Sequence, residues 1–401
     1  QILSRVAAID TTAVHPALSE ASFTIACDVD NPFYGPRGAT RIFAGQKGAT
    51  PEMTEHLEAG MQAIAAVIAQ TTGKDIGRIP GSEGPGDLYI GHTDVVPAGD
   101  LSGWRFPPFS PTVEGGLLYG RGASDMKGSV AAMLHAAELL TKLPAPKQGL
   151  TLLFDADEEC HNLGMKRFLN DSVPGRFAIV GEPSELQLHL GHRGVMAFQV
   201  TFHGKSAHAA RPETGENAIT QAMAFCRKAE ALNAFLTQKA PSPLGTGLLT
   251  VTMISGGTQV NMVPECCTIR LDRRLIESET PEAAEEELRQ LLAPFPKAEL
   301  KVTTCCPPSL TSEALCAVQE LKSALLSAGE EERISVFPAT CEAGLFTCST
   351  GIPSVILGPG SIRQAHQTNE FVKISELFSA AKAYLLFFSR RMLSADGKDV
   401  L

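Results

Sequence analysis

The residues best suited to chemistry begin between Gly91 and Gly128 and recur downstream. Gly91-His92-Thr93-Asp94 and Gly120-Arg121-Gly122-Ala123-Ser124-Asp125-Met126-Lys127-Gly128 offer an imidazole and two carboxylates at the ends of patterned segments. Asp157-Glu158-Glu159, Gly181-Glu182-Pro183 and, near the C-terminus, His366 follow. An imidazole at each end of this series, with carboxylates between, could hold two divalent ions and describes a metal-dependent hydrolase. Strand side chains alternate, so His92 and Asp94 share a face, and Asp94 is placed to engage the second ring nitrogen of His92. A surface turn is the plainer alternative. Asp125 precedes a helix, whose N-terminus favours an anion, and its two oxygens could bridge two ions; an N-cap would explain it equally. Adjacent Glu158 and Glu159 offer one ligand and one free carboxylate that can take a proton from water, against the alternative of a solvated acidic turn. Glu182 is uninformative alone, and His366 could be a buried, hydrogen-bonded histidine. Together, His92, Asp125, Glu159, Glu182 and His366 each follow a strand or occupy a glycine-rich loop, which points to one centre. Nitrogen and oxygen donors without thiolate suit zinc, cobalt or manganese, and the mixture of imidazole and carboxylate favours zinc.

The elements that must position these residues are legible as apolar patterns. Asp87-Leu88-Tyr89-Ile90 leads into Gly91-His92 as a strand. Ser129 to Leu143 carries Val130, Met133, Leu134, Ala137, Leu140 and Leu143 at helical spacing. Leu150 to Phe154 and Phe177 to Val180 are further strands, so strand and helix alternate in the manner of an α/β unit with a covered sheet. Open α/β sheets place their ligands at such strand ends. From Gly194 the pattern changes. A half-exposed strand (Met196, Phe198, Val200, Phe202), a helix over Asn217 to Leu236, strands at Leu248–Ile254 and Thr268–Leu275, a helix over Pro281–Leu292 and a strand at Leu300–Thr304 read βαββαβ. That is the order of a ferredoxin-like domain. It reads as an insertion, because α/β patterning resumes with Leu315–Ala328, Ser335–Phe337, Ser354–Leu357 and a last helix over Ile374–Phe388. His208, in Gly204-Lys205-Ser206-Ala207-His208-Ala209-Ala210, lies in the insertion and is either a surface histidine or one pointing out toward a site. Before residue 85, a strand at Phe23–Cys27 and a helix from about Pro51 to Thr71 are expected, with no obvious ligand set.

Bulk properties narrow the function classes. With 401 residues there is room for two cores, and 44% apolar and 19% charged residues describe an ordinary globular protein. A net charge of −10 argues against nucleic acid or an anionic membrane as partner. No apolar run approaches the roughly 20 residues of a bilayer span. The N-terminus lacks a basic-then-apolar signal pattern and an initiator Met, so a cytoplasmic protein and a trimmed or partial product are expected. Ten cysteines without a C-x-x-C pair, two sets of them adjacent (Cys266-Cys267 and Cys305-Cys306), read as reduced thiols.

From about Gly86 onward the chain resembles the co-catalytic zinc amidohydrolases and peptidases, the family of acetylornithine deacetylase, succinyl-diaminopimelate desuccinylase, aminoacylase and bacterial glutamate carboxypeptidase. The resemblance rests on GHTDVVPAGD, GWRFPPFSPTVEGGLLYGRGASDMKGSVAAML, DADEE, VGEPSELQ, GKSAHAARPETGENAI and GGTQVNMVPE, and the Gly-Glu-Pro motif brings the deacetylase and desuccinylase branch nearest. It implies an α/β zinc-exopeptidase-like catalytic domain with a covered mixed sheet over 86–192 and 305–401. An inserted ferredoxin-like lid and dimerisation domain would occupy 193–304. It implies His92 and Glu182 on one zinc, Glu159 and His366 on the other, and Asp125 bridging through a residue followed by a cis peptide. Asp94 would orient His92, Glu158 would be general base and acid, and His208 would reach a partner subunit's site and stabilise the oxyanion. Asn261 and Arg274 would contact the substrate's carboxylate end. Residues from about Ala8 to Pro85 instead resemble an internal segment of bacterial glycerate kinase, through ACDVDNPFYGPRGATRIFAGQKGATPEM and TTGKDIGRIPGSEG. That segment is too short to hold both nucleotide and glycerate sites, so a fused piece without kinase activity is expected.

The expected activity is therefore hydrolysis of the amide of a small N-acyl amino acid by water activated at two zinc ions, with cobalt or manganese as alternative metals and a homodimer as the working form. A dipeptidase or carboxypeptidase uses the same chemistry. Glycerate kinase is the rival from another class, opposed by the missing phosphate-cradling segments, and a non-enzymatic metal-binding protein is opposed by the intact Glu158.

Overall fold

The computed structural model describes residues 23–25, 55, 86–143, 149–170 and 175–393. Along the chain run β1 (Phe23–Ile25), β2 (Asp87–His92), β3 (Thr112–Glu114), β4 (Leu117–Tyr119), α1 (Gly128–Leu140), β5 (Leu150–Asp155), α2 (Leu163–Phe168), β6 (Ala178–Val180) and β7 (Leu188–His192). The insertion contributes β8 (Gly194–His203), β9 (Ala207–His208), α3 (Ala218–Gln238), β10 (Leu248–Gly256), β11 (Met262–Val263), β12 (Cys266–Leu275), α4 (Pro281–Leu292) and β13 (Glu299–Cys306). The chain then returns through β14 (Ser309–Leu310), α5 (Cys316–Ala328), β15 (Ile334–Phe337), α6 (Ala343–Thr350), β16 (Ser354–Ile356), β17 (Phe371–Lys373) and α7 (Ile374–Leu393).

The main sheet has eight strands in the order β1-β5-β2-β6-β16-β7-β14, with β15 beside β7. From β1 to β16 all neighbours are parallel; β16 with β7 and β7 with β14 are antiparallel, so the sheet is mixed. Its strands are apolar on both faces because helices cover both. Tyr89 of β2 joins Val130 and Met133 of α1, Leu321 of α5 and Phe387 and Phe388 of α7 in one core. Its neighbours Leu88 and Ile90 face the other way, toward Met165 of α2 and Phe346 of α6. Burying each of these side chains contributes about 1.5–3 kcal/mol, and the pattern fixes the register of β2, since a one-residue slip would exchange its two faces. Tyr89, Ser129 and Tyr384 satisfy one another's buried hydroxyls at 2.7 and 3.0 Å, and Tyr384 donates to the Leu357 carbonyl at 2.7 Å. At the far end of β2, Arg391 of α7 clamps the Asp87 carboxylate through both nitrogens, one at 2.9 Å.

The insertion is a four-stranded antiparallel sheet in the order β10-β12-β8-β13, carrying α3 and α4 in the expected βαββαβ sequence. Met196, Phe198, Val200 and Phe202 alternate inward along β8, and Phe202, Phe225 and Phe295 form its aromatic centre. Its last strand reaches Cys306, two residues beyond the boundary read from the sequence.

Several elements depart from the pattern read from the sequence. Helix α1 stops at Leu140 rather than Leu143 and leaves Leu134 exposed. The β3–β4 hairpin turns on Gly115-Gly116, whose φ values of 60° and 80° suit a two-residue turn; with β17 it forms a third sheet that the sequence analysis did not anticipate. Before residue 86, β1 adds a parallel edge strand beside β5; apart from Glu55, the helix expected over Pro51 to Thr71 lies outside the described residues. Among the described residues no helix is long and apolar enough to cross a membrane, and neither adjacent cysteine set, Cys266-Cys267 or Cys305-Cys306, forms a disulfide.

Two β7 histidines couple the fold to pH. His192 donates from Nδ1 to the Arg193 carbonyl at 2.9 Å and accepts at Nε2 from Gly344 N–H at 3.1 Å, which fixes a neutral ring, and burial lowers its pKa. Burial lowers His189 to about 4. The unfolded chain therefore binds more protons than the native one between about pH 4 and the ordinary histidine value of 6.5, and stability is lost as pH falls through that window. In chemical denaturation of the metal-free protein from pH 7 to pH 4.5, His189→Gln should remove roughly 1–3 kcal/mol of the loss. An unchanged pH slope in that variant would contradict this account.

Candidate metal centre

Parallel neighbours β5, β2 and β6 end side by side, and each end carries a chemical group. β2 finishes at His92, β5 at Asp155 with the Glu158-Glu159 turn after it, and β6 two residues before Glu182. The 120–127 loop brings Asp125, and the segment before β17 brings His366. Asp125 Oδ1 lies 3.1 Å from His92 Nε2, and Oδ2 lies 3.4 Å from His366 Nε2. Glu182 Oε1 is 3.9 Å from His92 Nε2, and Glu159 Oε2 is 2.8 Å from His366 Nε2. Two ligand sets result, His92–Asp125–Glu182 and Asp125–Glu159–His366, the donor atoms of each within 4.8 Å of one another. Asp125 belongs to both, and the Asp125–Met126 peptide is cis, as the resemblance implied. All five residues read from the sequence as candidate ligands are thus brought together.

Asp94 does more than its spacing suggested. Its Oδ1 lies 3.4 Å from His92 Nδ1, while its two oxygens accept the backbone N–H groups of Glu158 and Glu159 at 3.3 Å each. One carboxylate thus orients an imidazole and anchors the acidic turn.

The electrostatics are those of an anion-rich centre. Burial would lower His92, but hydrogen bonds to Asp125 and Asp94 and the charges of Glu182 and Glu342 hold it well above an ordinary histidine. Burial would raise Asp125, yet hydrogen bonds to His366 and His92 keep it at about 2; its bond to His366 lifts that ring to about 9. Burial, then the charge of Glu342, raises the Glu158 carboxyl well above the carboxylate range, and burial with the charge of Asp125 does the same to Glu182.

Three acidic residues not singled out from the sequence complete the surroundings. Asp155 and Glu342 are fully buried, and neither carboxylate has a hydrogen-bond partner from another described residue. Burial raises them to about 7 and about 8. Glu370 is buried against the 121–125 loop. Asp155 sits at a strand end and could have been found by that rule; Glu342, in the loop before α6, carries no local signal. Seven carboxylates (Asp94, Asp125, Asp155, Glu158, Glu159, Glu182 and Glu342) surround two imidazoles. Such a donor set, with orphaned buried oxygens, is chemically suited to divalent cations, which protein cations of the site do not replace.

The remaining site residues read from the sequence lie elsewhere in the chain. His208 of β9 is exposed; its Nδ1 accepts Ala210 N–H at 3.1 Å, which places the proton of the neutral ring on Nε2. The carbonyl of Asn261 accepts Ala209 N–H at 2.9 Å, so Asn261 sits beside the His208 turn. Arg274 is engaged with Asp272 through two hydrogen bonds at 2.7 and 3.2 Å. Among the described residues no hydrogen bond or ion pair joins these three to the five ligands.

The sequence model of peptidase family M20/M25/M40 matches residues 88–390, and that of the glycerate kinase family matches residues 1–105. A succinyl-diaminopimelate desuccinylase of Alkalilimnicola ehrlichii is 29% identical over 357 residues, 82% of this chain and 92% of the relative. An acetylornithine deacetylase of Yersinia pseudotuberculosis is 32% identical over 310 residues, 75% of this chain and 78% of the relative. Among solved structures, an M20 family metallo-carboxypeptidase from Sulfolobus solfataricus superposes with a TM-score of 0.63 at 22% identity, covering 76% of this chain and 84% of its own, and supports the fold.

Cations that discharge this cluster stabilise the native state by mass action. Zinc at about 100 times its dissociation constant should add about 2.7 kcal/mol, read as a higher melting temperature than in chelator. Asp125→Asn, which removes the charge shared by both ligand sets and leaves a single ligating oxygen, should abolish most of that gain. Identical melting in zinc and chelator would exclude a metal centre here.

Proposed function

We propose, from the premise that this chain belongs to peptidase family M20/M25/M40, that it hydrolyses the amide bond of small N-acyl amino acids, in the manner of a deacetylase or desuccinylase. The observation that carries the reading is Asp125, whose two oxygens are aimed at imidazoles from opposite ends of the chain. His92 and Glu182 would hold one zinc ion and Glu159 and His366 the other, with Asp125 shared. When bound, the two cations supply Lewis acidity to the scissile carbonyl and to the attacking water.

The chain's own groups carry the protons. Glu158, raised by burial and by Glu342, takes a proton from the attacking water and hands it to the departing amine nitrogen. Asp94 keeps His92 oriented and holds the turn from which Glu158 projects. His208, protonated on Nε2, donates to the oxyanion that develops on the carbonyl oxygen. Because that ring lies exposed on the insertion, the donor comes from a second copy of the chain. The β10 edge, with Met253 60% and Ile254 53% exposed, favours a homodimer through the inserted sheet. Asn261, beside the His208 turn, and Arg274 receive the carboxylate end of the substrate. Free thiols at Cys266, Cys267, Cys305 and Cys306, adjacent pairs that form no disulfide, fit a cytoplasmic setting.

Dipeptide cleavage would use the same groups and is separated by substrate alone. A panel of N-acetyl amino acids, N-succinyl amino acids and dipeptides should give faster amine release from the acyl compounds; turnover of dipeptides only would move the enzyme to the exopeptidases. Glu158→Ala should keep bound zinc and lose about 10²–10⁴-fold in kcat; full activity in that variant would remove the base. His208→Ala should lose about 10²–10³-fold. Mixing inactive Glu158→Ala and His208→Ala chains should restore activity if the histidine acts across the dimer, and no restoration would place it within its own chain.

A further inference from the structure

The segment carrying Asp125 and the segment carrying His366 come from opposite ends of the catalytic unit, and one fully buried side chain joins them. Glu370 Oε1 accepts the N–H groups of Ser124 and Asp125 at 2.8 and 3.0 Å. Its Oε2 accepts Arg121 Nη1 at 2.7 Å and Gly122 N–H at 3.0 Å. Every donor lies within five consecutive residues, Arg121 to Asp125. A carboxylate has about four acceptor positions, and this one uses all of them to close a single loop. Arg121 balances its charge, being buried in the same pair and stacked 5.2 Å from the Trp104 ring; Arg121 also donates to the Gln367 carbonyl at 3.2 Å.

On its own segment, Glu370 lies four residues after His366. His366 and the intervening Asn369 both have φ of 63°, a left-handed conformation uncommon outside glycine that Asn and His tolerate best, and contacts on either side hold it. These contacts are adjacent. The Asn369 side chain accepts Arg105 N–H at 2.5 Å and donates to the Gly103 carbonyl at 3.1 Å, and Gly120 N–H donates to the Glu370 carbonyl at 3.0 Å.

We propose that Glu370 is a positioning residue for metal binding, latching the Asp125 loop to the His366 loop so that both imidazoles meet one bridging carboxylate, although Glu370 itself touches only the backbone of Asp125. The inference rests on the two-cation reading above. Supporting groups behind a ligand shell commonly tune metal affinity by 10–100-fold, and this one acts on the residue shared by both ligand sets.

Glu370→Gln keeps the volume but replaces one acceptor oxygen by a donor that faces N–H groups. Zinc dissociation constants, measured by competition with a chromophoric chelator, should weaken 10- to 100-fold, and kcat on an N-acyl amino acid should return to within a few-fold of wild type at saturating zinc. Glu370→Asp, which keeps the charge but is one methylene shorter, should weaken zinc binding less, and it serves as the test if the glutamine variant does not fold. Unchanged zinc affinity alongside a lower melting temperature in chelator would make Glu370 a scaffold residue and overturn the inference. Absence of zinc binding by the wild-type chain would overturn the two-cation reading and the latch with it; binding by the wild type with undiminished binding by both variants overturns the latch alone.

Discussion

Repulsion among buried carboxylates is the constraint around which the catalytic unit is built. Two like charges about 4 Å apart cost about 4 kcal/mol at the effective dielectric of a protein surface, and seven acidic side chains here share two imidazoles. No self-organising preference would gather such a set. It is held because each acid is tied to an element whose position is fixed by apolar packing elsewhere. Tyr89, Leu88 and Ile90 lock β2 between two cores, and His92 then has no freedom to retreat from Asp125. The buried hydroxyl chain of Tyr89, Ser129 and Tyr384 and the Arg391–Asp87 clamp fix the same strand against α1 and α7.

The acids that come from loops need a different device. Loops lack a core face, so the 121–125 segment is fixed by backbone hydrogen bonds to the buried Glu370 carboxylate, and the 366–370 segment through Glu370 and Asn369. Glu370 closes one loop, and Asp94 closes the Glu158-Glu159 turn from the other side. Acidic groups thus serve two purposes in one small volume. Those whose oxygens are filled by N–H groups organise the chain, and those with oxygens left over, such as Asp155 and Glu342, are pushed up by burial to about 7 and about 8. The third sheet of β3, β4 and β17 carries the His366–Glu370 segment directly into a strand, which limits how far that histidine can drift.

What the sequence disclosed follows the same division. The strand-end rule located His92, Glu159 and Glu182, because a buried parallel strand is a continuous apolar run and its polar successor stands out. The inserted domain was legible through the change from continuous to alternating apolar residues at Gly194. The β3–β4 hairpin was missed although Gly115-Gly116 marks its turn, since its strands are only three residues long. Glu342 and Glu370 were missed for a deeper reason. Their importance lies in which backbone groups and which charges fold next to them, and neither spacing nor residue type records that. Residues before 86 present a further case: the resemblance there belongs to another family, yet β1 enters the hydrolase sheet beside β5. A parallel edge position asks of a strand little more than apolar residues and free backbone groups.

Glu158 and Glu159 show how far environment outweighs identity. They are the same residue type, adjacent in sequence, and both are anchored through their backbone N–H groups to one aspartate. Successive side chains on a tight turn must diverge. That of Glu159 meets His366 at 2.8 Å, a partner that opposes the burial and the Asp125 charge that raise its carboxyl. Glu158 is more deeply buried, faces Glu342, and among the described residues has no imidazole hydrogen-bonded to it, so its proton is held more tightly. Burial thus raises both carboxyls, and the deeper one, Glu158, is raised further. The distinction is made first by depth of burial and then by Glu342, nearly 200 residues away in the chain, rather than by residue type in the acidic pair itself.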